Sequence, residues 1–159
     1  MAALRSILVA LDGSRSSLAA LEHAIALAED YEATIEVLHV ISHEDTLSAV
    51  ARREVESAME AGIARARAAL GARVSCRTTV GDPLREIVNA ARDVDLIVMG
   101  THGRIGRLHA LFGSVAEGVV RNAPCPVLTV RDSSEGYQSF AERRHGRPSL
   151  TEETSAKSS

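Results

Sequence analysis

Apolar residues follow two rhythms along the chain. Ile7 to Leu11 is a continuous apolar run closed by Asp12-Gly13, as expected for a strand buried on both faces. Between Ser14 and Asp30 the apolar positions Leu18, Leu21, Ile25 and Ala28 fall three or four apart, the spacing of a helix. Ile35 to Ile41 predicts a second strand. His43 to Leu70 predicts one long helix, with Leu47, Val50, Val55, Met59, Ile63, Ala66 and Leu70 as its stripe. Val74 to Val80 alternates, which predicts a strand with one better-solvated face. In Gly81-Asp82-Pro83, Asp82 caps and Pro83 opens a helix running from Leu84 to Arg92. Leu96 to Met99 is a fourth strand. A glycine-rich loop, a helix from Val115 to Arg121 and a last strand from Pro126 to Val130 follow.

Alternating strands and helices, five strands deep, predict a single α/β domain: a doubly wound, five-stranded parallel sheet with helices on both faces. Ligands of such sheets bind beyond the carboxyl ends of the strands. That rule nominates Asp12-Gly13 and the loop from Gly100 onward. Residues 1–131 carry the periodic pattern and form the expected domain. Residues 132–159 are polar and aperiodic, with five acids against four bases, and are expected to be a flexible tail on which Tyr137 and Phe140 could dock only loosely.

Composition narrows the chemistry. The 159 residues include 18 basic and 21 acidic ones, a net charge of -3, so no overall pull toward nucleic acid or anionic membrane is expected. Aromatics make up 3%, too few for a stacking platform for single-stranded nucleic acid. The single lysine is Lys157, which excludes a P-loop in the domain and Schiff-base chemistry outside the tail. Cys76 and Cys125 form no C-x-x-C and read as small buried apolar residues in a reducing compartment. The apolar N-terminal stretch is too short for a signal peptide and runs into an acidic turn. No segment approaches the roughly 20 apolar residues of a membrane helix, so a cytoplasmic protein is expected.

The informative segment is Gly100-Thr-His-Gly103-Arg-Ile-Gly106-Arg-Leu-His-Ala-Leu-Phe-Gly113-Ser114-Val115. It leaves a buried strand, turns on glycines and re-enters a helix. Glycines let backbone amides approach an anion, and a helix N-terminus aims free N–H groups and a positive dipole end at the same place. Ser114 and Glu117 have capping-box spacing. His102, Arg104, Arg107 and His109 can neutralise phosphate where lysine is absent. Each residue also has a plainer reading. Gly100 and Gly103 would turn any chain, Ser114 caps a helix, Asp12 caps the first one, and Arg107 and His109 are surface residues. Their convergence at one sheet edge favours a nucleotide-phosphate site.

Gly100-x2-Gly103-x9-Gly113-Ser114 matches the G-2x-G-9x-G-[S/T] nucleotide motif of the universal stress protein family. The blocks Ile7-Leu-Val-Ala-Leu-Asp-Gly-Ser14, Gly81-Asp-Pro83, Asp95-Leu-Ile-Val-Met-Gly100, Gly113-Ser-Val-Ala-Glu117 and Ala123-Pro-Cys-Pro-Val127 resemble that family in order, over about residues 4–131. The resemblance implies sheet order 3-2-1-4-5, ATP binding, and a homodimer through the last strand, Pro126, Val127, Leu128, Thr129 and Val130. It implies that Ala10, Leu11, Asp12 and the backbone near Val40 face the adenosine half, with Met99 and Gly100 on the ribose side. Gly103, Gly113, Ser114 and Val115 would hold the phosphates, with Mg2+ or Mn2+ as companion and with Arg104, nominated above for its charge, beside them. Ala10 departs from the proline many members carry, beside the nucleoside. The function expected is a stress-response or regulatory protein with ATP as ligand and little or no hydrolysis, since the loop offers no carboxylate base. The alternatives are a slow ATPase or phosphotransferase, a sensor of AMP or cyclic AMP, and a module that binds no nucleotide.

Overall fold

Ile7, Leu8 and Val9 are sealed from solvent on both sides, which is what a continuous apolar run requires of a central strand. The computed structural model describes residues 3–45, 47–103, 112–132 and Arg143. The strands are β1 (Ser6–Ala10), β2 (Thr34–Ile41), β3 (Val74–Val80), β4 (Leu96–Gly100) and β5 (Val127–Val130). The helices are α1 (Arg15–Tyr31), α2 (Ala49–Leu70), α3 (Pro83–Ala90) and α4 (Ser114–Asn122). All strand pairs are parallel, in the order β3-β2-β1-β4-β5. The expected architecture and order therefore hold.

Successive residues of a strand face opposite sides, so the sheet feeds two cores. Ile7, Val9, Val37 and Val98 pack with Leu18, Leu21 and Ile25 of α1 and with Met59, Ala66 and Leu70 of α2. Leu8, Leu38, Ile97 and Met99 pack with Ile87 of α3 and with Ala116 and Val119 of α4. Between α1 and α2, the Glu22 carboxylate, 6% exposed, pairs with Arg65 at 3.3 Å. No described helix is long and apolar enough to cross a membrane.

Several expectations need correction. The long helix begins at Ala49, not His43. Polar side chains compete for the backbone there: Ser42 Oγ accepts from the Glu44 amide, Asp45 Oδ1 from the Leu47 amide, and Ser48 Oγ caps the helix through the Ala51 amide. Val50, assigned to the stripe, is 69% exposed in the first turn of the helix. Helix α3 ends at Ala90 and gives way to a 3-10 turn over Ala91–Asp93. Cys76 is exposed and Cys125 half-buried rather than both in the core. Cys76 lies on the edge strand β3, whose middle residues are exposed on both faces. The tail beyond Asp132, Arg143 apart, lies outside the described residues, and with it Tyr137 and Phe140.

Candidate functional site

A cavity of about 300 Å³ opens at the carboxyl ends of β1, β2 and β4. Ala10, Leu11, Asp12 and Val40 line one side. Met99, Gly100, Gly103, Gly113, Ser114 and Val115 line the other. Ten of the eleven residues nominated from sequence thus share one cavity. Arg104, the eleventh, lies outside the described residues, as do Arg107 and His109. Leu38, Pro83, Ile87 and Ala116 add apolar wall, and Ser17, Ser42, Thr101 and His102 add polar groups. Pro83 and Ile87 were missed although the carboxyl-edge rule reaches them: α3 starts where β3 ends. Leu38 and Ser42 need the pairing of β2 with β1 to be known.

Two tight approaches shape this edge. In the β1–α1 turn Gly13 has φ +80, and a Cβ there would lie 2.7 Å from Val55 Cγ1 of α2. At the end of β4, a Cβ on Gly100 would lie 2.3 Å from Ser16 Oγ and 2.8 Å from the Ser17 nitrogen. Only glycine lets β4 run directly onto the first turn of α1. The N-cap of α1 is Ser14, whose hydroxyl accepts from the Ser17 amide at 3.2 Å. Asp12, read from sequence as a possible cap, instead accepts the Ser14 amide on Oδ1 at 2.9 Å, because the turn inserts two residues between it and the helix.

The loop is pinned at its neck. The Gly113 amide donates to the Thr101 carbonyl at 2.6 Å, and the Thr101 amide donates to Val130 at the end of β5. Thr101, 3% exposed, holds the His102 ring with its hydroxyl oxygen 3.0 Å from Nδ1. The expected capping box is absent. Gly113 is the N-cap of α4, with no side-chain cap bond, and Ser114 is the first helical residue. Ser114 is therefore exposed at the helix mouth, and Glu117 pairs outward with Arg121 at 3.0 Å. Gly113 gives the first amides of α4 no side-chain cap, and that end of the helix lines the cavity together with Ser17 of the first turn of α1.

A larger hollow of about 550 Å³ lies at the opposite, N-terminal end of the sheet, between α3 and the starts of β2 and β3. Its lining includes Glu36, Glu86 and Asp93, with Arg77 tied to Glu36 at 2.9 Å. Acidic lining and the absence of a helix N-terminus make it the poorer place for an anion, despite its size. Among the described residues no group of three His, Cys, Asp or Glu side chains is placed to hold a metal ion.

A sequence model of the universal stress protein family matches residues 3–131. The chain is 33% identical over 140 residues to universal stress protein MJ0531 of Methanocaldococcus jannaschii, covering 80% of this chain and 82% of that protein. Among solved structures, universal stress protein UspA from Lactobacillus plantarum shares the fold with a TM-score of 0.71 at 23% identity, over 82% of this chain and all of that one. A universal stress protein in complex with cAMP superposes with a TM-score of 0.65 at 28% identity, over 83% of this chain and 100% of that chain. By its matched family model, its relatives and its sheet order, this chain belongs to the universal stress protein family.

Proposed function

We propose that the cavity at the carboxyl edge of the sheet binds an adenine nucleotide, ATP in the first instance, and that the protein is a cytoplasmic regulatory protein whose state the nucleotide sets. The observation that carries this reading is the meeting of an apolar cavity with the N-terminus of α4 and the glycines 100, 103 and 113. Leu38, Val40, Pro83, Ile87 and Met99 suit a planar base. The α4 amides and the Gly103 segment suit phosphates, with Arg104 close in sequence. A divalent cation would ride chiefly on the phosphate oxygens. Hydrolysis is slow or absent, because Asp12 is the cavity's carboxylate among the described lining residues and its Oδ1 is committed to the Ser14 amide.

A cyclic or monophosphate ligand is the second reading, favoured by the family relative solved with cAMP. The two separate in one experiment. ATP, AMP and cyclic AMP are added to the protein with and without Mg2+, and the melting temperature is followed. A native-state ligand at a hundred times its Kd adds about 2.7 kcal/mol, or roughly 5–10 °C for a chain of this size. The largest shift is expected with Mg-ATP, and Gly113→Val should abolish it, since its side chain would fill the space facing Thr101 and His102. A shift with cyclic AMP alone selects the second reading. No shift with any of them, or one that survives Gly113→Val, removes the site assignment.

A further inference from the structure

The peptide between His102 and Gly103 is held from one side. Ser16, 5% exposed in the first turn of α1, donates its hydroxyl to the His102 carbonyl at 2.5 Å. Ser14 reaches the same oxygen at 3.3 Å. The described chain contains no cis peptide, so the unit is trans, and its carbonyl and the following N–H point to opposite sides. With the carbonyl fixed toward α1, the Gly103 N–H is directed away from α1. Close to that nitrogen stands Gly113, whose added Cβ would lie 3.8 Å from it, followed by the first amides of α4, to which Gly113 gives no side-chain cap.

We propose that Ser16 is a positioning residue for anion binding: its hydroxyl fixes the His102–Gly103 peptide so that the Gly103 amide joins the α4 amides around a nucleotide's phosphate chain. This rests on the nucleotide reading of the cavity. Glycine at 103 makes the device necessary, because a residue without Cβ lets the peptide plane rotate at little cost and would then present a carbonyl oxygen to the anion. Gly100 completes it. The space its missing Cβ leaves is where Ser16 Oγ sits, which holds the hydroxyl on the His102 side. A buried hydroxyl is stable only with such a partner.

The test is calorimetric titration of the full chain and of Ser16→Ala with Mg-ATP and with adenosine. A lost bond from an amide to a charged group is worth about tenfold or more in Kd. Ser16→Ala is expected to weaken ATP by roughly that factor while adenosine stays within about twofold. Equal loss of both ligands makes Ser16 merely structural, and an undiminished ATP preference removes its role; either result overturns the proposal. If the unaltered protein binds adenosine as tightly as ATP, or neither, the nucleotide-phosphate reading falls first. Should Ser16→Ala fail to fold, the unaltered chain labelled with 15N-glycine decides. Pyrophosphate must shift the Gly103 amide resonance, and an unmoved Gly103 overturns the assignment.

Discussion

Asp95, just before β4, clasps the start of β1: its Oδ2 accepts the amides of Arg5 and Ser6 at 2.9 and 3.0 Å and the Ser6 hydroxyl at 3.2 Å. The Arg5 and Ser6 N–H groups hold the carboxyl below its ordinary value near 3.8, against a smaller upward push from desolvation. A depressed folded-state pKa contributes stability above the unfolded value, and that contribution is lost as pH falls through the folded one. Melting curves of the protein and of Asp95→Asn should therefore differ most near pH 7 and converge below about pH 3.8. A constant gap across that range would show that the charge is irrelevant to the clasp. Cys125, nearby in the α3/α4 core, is pushed the other way, its thiol raised chiefly by burial. Neither environment was legible locally. Asp95 reads as one residue of a family block, and the burial of Cys125 depends on the helices and strands that pack beside it.

At the scale of elements, the two helices that face the cavity start differently. Helix α1 is capped by the Ser14 side chain, whereas α4 starts from Gly113 with no side-chain cap. Ser14→Ala should cost about 1 kcal/mol, as the loss of a serine cap usually does. Ser114→Ala should cost less than about 0.5 kcal/mol, because an exposed first-turn residue without a cap bond contributes little. Denaturant unfolding of both variants checks the contrast. Equal costs would restore a capping role to Ser114. The S-x-x-E spacing misled because Gly113, already in extended geometry, takes the cap position one residue earlier. A similar shift placed the start of α2 six residues late, where Ser42, Asp45 and Ser48 bond the backbone themselves. Strands were easier to read. A parallel strand buried on both faces shows as an unbroken apolar run, and β1 and β4 have little else. The glycines of the loop were legible for a related reason: where a Cβ would collide, as at Gly100, the sequence has no substitute.

For the whole molecule, the order of strands decides which edges remain open, and periodicity alone could not supply that order; it came from the resemblance and from the pairing. The open edges are β3 and β5. β3 carries exposed Ser75, Cys76, Arg77 and Thr78, a polar edge with a charge that discourages pairing. β5, Val127–Val130, is apolar but for Thr129, and its first three residues are only half-buried. We propose from this contrast that β5 pairs with a second copy in the homodimer that the family resemblance implies. The bonds from Ile97 to the Pro126 carbonyl and from Thr101 to the Val130 carbonyl place the even-numbered backbone groups of β5 toward β4. The N–H of Thr129 then faces outward, because both backbone groups of a residue in a parallel strand point to the same side. Thr129→Pro removes that outward donor and leaves the β4–β5 ladder intact, a substitution edge strands tolerate. Sedimentation should find the unaltered chain at about twice 16.9 kDa and Thr129→Pro near 16.9 kDa, with little change in circular dichroism. A variant that remains a dimer would move the interface away from β5. One that turns monomeric while keeping its ATP-induced rise in melting temperature would show that each protomer holds its nucleotide alone, as a cavity lined by one chain's residues leads us to expect.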